Sequence, residues 1–143
     1  MKLILMLLVI TANIYAQEHV QMWKPLVIND KEKVWYDQSM TDSIKGSKMN
    51  IWILQMHKPP LTGEGINGEV YRSKTLYTIN LKTAKYGILN VIYYDVANKE
   101  MYNFKYNIDD YPENLKYTYP ITEKSVLFTL IKEIFNNPGD KTN

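Results

Sequence analysis

Residues 86–106 read YGILNVIYYDVANKEMYNFKY. Apolar side chains fill the first part, residues 86–96, on both faces of an extended chain. Ala97-Asn98-Lys99 then breaks the run. Beyond it, Tyr102, Phe104 and Tyr106 alternate with Asn103 and Lys105. A period of two is the mark of a strand with one packed face. Asn98 tolerates the positive φ that a short hairpin connection needs. Strands joined so tightly pair antiparallel, because a parallel pair needs a long crossover.

Working outward, the same signs recur upstream. Residues 71–83 form a predicted strand with Tyr77, Ile79 and Leu81 on one face. Residues 49–57 hold Ile51, Trp52, Ile53 and Leu54 in a nearly continuous apolar run, as expected of a central strand covered on both faces. Lys33–Asp37 is short and rich in strand formers, and residues 20–28 are a first strand whose Pro25 favours an edge position. Residues 38–48 are polar and turn-like. Residues 58–68, with Pro59, Pro60, Gly63, Gly65 and Gly68, make the longest predicted loop.

Downstream, residues 107–114 form a polar loop with Pro112, and residues 117–119 add a short extended piece. A helix closes the chain. Thr122 is its expected N-cap, and Glu123 lies in the first turn, where its charge suits the helix dipole. Leu127, Leu130, Ile131 and Ile134 form an apolar stripe, with Lys132 and Glu133 opposite and Asn136-Asn137-Pro138-Gly139 as the stop. A helix of about 14 residues spans roughly 20 Å, and a strand of about six residues spans the same. Such a helix fits across a sheet. The expectation is an α+β fold: a mainly antiparallel sheet of about five to six strands, with the C-terminal helix packed on one face.

The first 16 residues stand apart. Met1-Lys2 is positive, residues 3–10 are uninterruptedly apolar, and the segment turns polar and ends on Ala16. This order is that of a secretory signal peptide. The apolar run is short of the roughly 20 residues a spanning helix needs. The expected organisation is a signal peptide at 1–16, one α+β domain at 17–137 and a frayed tail at 138–143. The product is expected in the periplasm, on the cell surface or outside the cell. The chain has no cysteine. Thiol catalysis, Cys-zinc sites and iron–sulfur clusters are thereby excluded. Net charge is +2, with basic residues scattered among acidic ones, so there is no general field for nucleic acid or anionic lipid.

Motifs for chemistry are weak. Residues 63–68 spell G-x-G-x-x-G, but a dinucleotide fingerprint must open a helix, and Glu69-Val70-Tyr71 leads into a strand. His19 and His57 are the only histidines, and neither has a Glu or His at helical spacing, whereas a zinc site takes three or four converging ligands. Asp109, Asp110 and Glu113 do not match calcium-loop spacing. No cofactor, metal or catalytic residue is assigned.

Trp23, then Val34-Trp35-Tyr36-Asp37, then Ile51-Trp52-Ile53-Leu54 together resemble the opening of the surface-adhesin E-like domain family. Ser73 with residues 77–81 resembles that family's next strand. Tyr93-Tyr94-Asp95 resembles its tyrosine-bearing strand pair, and Tyr119-Pro120-Ile121 with residues 125–135 its closing helix. The family's two cysteines align with Leu81 and Phe135, so the resemblance implies that these two replace a disulfide by packing. It also implies a non-enzymatic exported protein that binds a protein partner, with extracellular proteins as the candidates. The alternative is a periplasmic structural or accessory domain of the envelope. An enzyme would need converging acidic residues or histidines in a deep pocket. The expected partner surface is formed by Tyr102, Tyr106, Tyr111, Glu64 and Asn67, on the aromatic strand and the two loops beside it.

Overall fold

The computed structural model describes residues 20–136. The proposed signal peptide and the tail lie outside the described residues. Seven strands form one antiparallel sheet: β1 (Trp23–Ile28), β2 (Lys33–Asp37), β3 (Lys48–Leu61), β4 (Val70–Asn80), β5 (Lys85–Tyr94), β6 (Glu100–Lys105) and β7 (Tyr119–Pro120). β1 to β6 lie in sequence order across the sheet, and β7 pairs with β5. Each strand up to β6 therefore pairs with its neighbour in sequence. The helices are α1 (Glu113–Lys116) and α2 (Val126–Asn136). No helix among the described residues is long and apolar enough to cross a membrane.

Strand alternation divides the sheet into two faces. Val34, Tyr36, Ile51, Ile53 and Ile79 point to one face, and Leu127 and Leu130 of α2 pack on them. An ion pair between Lys24 and Glu133 at 3.4 Å ties the helix to β1. Trp35, Leu54 and Lys74 share a cross-strand row on the other face. There Lys74 Nζ lies 4.7 Å from the Trp52 ring centroid and 5.8 Å from that of Trp23. It also donates to Gln21 Oε1 at 2.6 Å. Burial pushes this ammonium below its ordinary pKa, against the opposing field of Asp37 and Glu100.

Four local expectations need correction. β3 runs on through Pro59 and Pro60 to Leu61, where the loop was expected. It does so because the ladder resumes at Leu61–Val70 after a register shift, and a bulge accommodates the prolines. β3 is also less enclosed than expected: Ile51 and Ile53 are buried, but Trp52 and Leu54 are only half-buried. The polar stretch after Asp37 is a 3-10 helix over Gln38–Ser43. Helix α2 starts one turn late. Thr122 instead takes part in a turn, its carbonyl accepting from the Ser125 N–H and hydroxyl, while Ser125 Oγ caps the Phe128 N–H at 3.2 Å.

Leu81 packs against the core as expected. Phe135 keeps 49% exposure. A helix advances 100° per residue, so Phe135 sits about 90° from the centre of the stripe formed by Leu127, Leu130, Ile131 and Ile134. Leu127, Leu130, Ile131 and Ile134 carry the packing of the helix on the core.

Asp37 shows why a Tyr-Asp pair ends β2. Its side chain is fully buried, and Oδ1 accepts from the Met22 N–H at 3.0 Å, the Ser39 N–H at 3.1 Å and the Ser39 hydroxyl. One carboxylate thus caps the 3-10 helix and holds the start of β1. Asp37→Ala is expected to lower stability by about 1–3 kcal/mol, because buried donors lose their acceptor. Asp37→Asn, which keeps an oxygen, is expected to lose less. Urea titration of both variants checks this order.

Candidate functional site at the free edge of the sheet

An antiparallel sheet has two edges, and each offers unpaired backbone groups unless something blocks it. Here the two differ. β1 carries Pro25, which has no N–H, and a bulge between Pro25 and Val27. β6 has no proline. It covers β5 only from Asn90 to Tyr94, while β7 takes the other end of the same β5 edge at Lys85 and Tyr86.

The phase of β6 follows from one bond. The Tyr106 N–H donates to the Leu89 carbonyl at 2.9 Å. In an antiparallel pair, alternate residues bond to the same neighbour. Tyr102 and Phe104 therefore also turn their backbone groups inward to β5, and Asn103 and Lys105 turn theirs outward.

The side chains of this edge form an aromatic strip. Tyr102 and Phe104 stack with centroids 5.8 Å apart and planes at 9°. Phe104 meets Tyr93 of β5 edge-on at 6.1 Å. Tyr93 pairs with Tyr102 and Val91 with Phe104, so the strip lies on the same face as α2. The helix does not reach it: the core ends at Tyr77 and Tyr86. Phe104 is 43% exposed and Tyr106 is 50% exposed.

The glycine-rich loop frames the strip. The Asn67 N–H donates to the Tyr102 hydroxyl at 2.8 Å. Gly68, at φ +104, approaches so closely that a Cβ would lie 3.0 Å from Met101 Cε. No helix follows this G-x-G-x-x-G run; it leads directly into β4. The structure thus brings Tyr102 and Asn67 together across 35 residues. Glu64 is exposed in the same loop and Tyr106 just follows the end of β6. Tyr111 is 53% exposed but belongs to residues 107–118, which cross the opposite face. Phe104, the middle ring of the strip, was signalled only by its alternation with Tyr102 and Tyr106.

One polar pair went unread in the sequence. His57 Nε2 lies 2.8 Å from Ser73 Oγ. Burial pushes the His57 pKa down, which favours the neutral ring. Acyl transfer would also need oxyanion donors. Ser73 sits mid-strand, between Gln55 and Tyr93, with its backbone committed to the ladder. The pair reads as a buried serine satisfied by a histidine, a contact invisible in sequence because 16 residues separate the two. Among the described residues no group of three His, Cys, Asp or Glu side chains is arranged to hold a metal ion.

Comparison with known proteins yields no match: no protein-family model, no curated protein and no solved structure is similar to this chain.

Proposed function

We propose that this chain is a non-enzymatic module that binds another protein, taking an extended segment of its partner as an additional strand along β6. The observation that carries this reading is the asymmetry of the two edges. β1 is blocked by Pro25 and a bulge, whereas β6 turns the backbone groups of Asn103 and Lys105 outward beside a ring stack whose Phe104 is exposed. Strand addition draws affinity from main-chain hydrogen bonds and specificity from the flanking side chains. Tyr102, Phe104 and Tyr106 supply those contacts, and aromatic residues are enriched where proteins meet. The signal-peptide pattern of residues 1–16 supports action outside the cytosol, and the surface-adhesin E resemblance supports an extracellular partner.

The test is binding to a panel of immobilised extracellular-matrix and plasma proteins, with Asn103→Pro and Phe104→Ala as variants. Proline at position 103 removes an outward N–H and leaves the β5 ladder intact, so circular dichroism should be unchanged. Each variant is expected to weaken binding by about tenfold or more, equivalent to about 1.4 kcal/mol. Binding that survives both substitutions, or no binding at all, would overturn the proposal.

A further inference from the structure

On the face opposite α2, residues 107–118 arch over the end of the sheet. They leave a cleft of about 600 Å³ beneath them. Small-molecule sites occupy about 300–1,000 Å³. The arch is held close by Gly87, because any side chain there would overlap the Lys116 carbonyl. Tyr117 is buried in its wall.

The lining has two characters. Met40, Leu89 and Ile108 provide apolar surface. Lys45, Lys48 and Lys116 are the basic residues of the lining and Asp109 the acidic one, with Asn50 and Thr78 as further polar residues. Lys48 is engaged by Glu113 and lies 5.7 Å above the Tyr117 ring. With Glu113 counted, the three lysines and two acidic residues at the cleft leave an excess of one positive charge. An open cleft with apolar residues in part of its lining and one surplus positive charge complements a monoanion that has an apolar body.

We propose that this cleft binds a small amphiphilic monocarboxylate, with its acyl chain against Met40, Leu89 and Ile108 and its carboxylate held by Lys45 and Lys116. The site is on the other face from the aromatic strip and is independent of strand addition at β6.

Calorimetric titration of the full chain tests it, with decanoate below its micelle concentration as the probe. Saturable binding of one decanoate per chain is expected. Acetate should give none over the same range, because it lacks the apolar body. Decan-1-ol should bind about tenfold more weakly, because it lacks the charge. Lys45→Gln and Lys116→Gln should each weaken decanoate by about tenfold and leave decan-1-ol unchanged. Lys33→Gln, at the far end of the sheet, should have no effect. Circular dichroism checks that each variant is folded. The proposal is overturned if decan-1-ol binds as well as decanoate, if both cleft variants keep full affinity, or if decanoate fails to saturate. Binding only to phosphatidylglycerol vesicles, and not to monomeric decanoate, would overturn it too.

Discussion

Leu130→Ala should remove about 2–5 kcal/mol of stability, the range for truncating a large apolar side chain in a packed core. Leu130 is fully buried and sits in the cluster that joins α2 to β2, β3 and β4. Total stabilities of single domains run to about 5–15 kcal/mol, so this one substitution takes a large share. The informative comparison is Phe135→Ala, which removes a bigger side chain from the same helix. Its ring is half in solvent and outside the core. It should therefore lose well under half as much as Leu130→Ala. Urea denaturation of both variants, read by circular dichroism, decides the matter. An equal loss from Phe135→Ala would show that the last turn of α2 bears more of the packing than the structure assigns to it.

Gly87→Ala should destabilise the sheet by adding a single methyl. Gly87 is buried and pairs with Thr78 across β4 and β5. A Cβ there would overlap the Lys116 carbonyl oxygen and press on Thr78 Cγ2 at 3.3 Å. The first obstacle is backbone, which cannot step aside as a flexible side chain can. Overpacking of this kind costs about 1–3 kcal/mol, occasionally more. The strain falls on residues 107–118, so decanoate binding in the cleft should be lost along with stability. A melting temperature within about one degree of the parent would show that the arch lifts freely, since about 1 kcal/mol shifts a domain of this size by several degrees.

These outcomes bear on why the cleft and the free edge were hard to see. Gly87 is one glycine in an apolar run and carries no mark of the carbonyl above it. The Lys116 backbone reaches it only because the chain turns back over the sheet after β6, then enters β7 at the edge of β5. The lysines of the cleft come from two separate stretches, around residues 45–48 and at residue 116. The bond between Asn67 and Tyr102 likewise joins the loop before β4 to a strand after β5.

The order of the elements was legible in the sequence. So were the antiparallel hairpin at Asn98, with its φ of +64, and the stripe Leu127, Leu130, Ile131 and Ile134. These depend on local periodicity and turn chemistry, where neighbours in sequence are neighbours in space. The end of β3 and the start of α2 depended on competing partners: Val70 drew Leu61 into the ladder, and Ser125 displaced Thr122 as the cap. By itself, then, the sequence determined the order of the strands and closing helix and the apolar stripe of that helix. Only the tertiary structure decided that β6 is an open edge and that residues 107–118 roof a lysine-lined cleft. The physical reason is that edges and cavities are defined by what fails to pack against a residue, and no pattern of local periodicity encodes a missing neighbour.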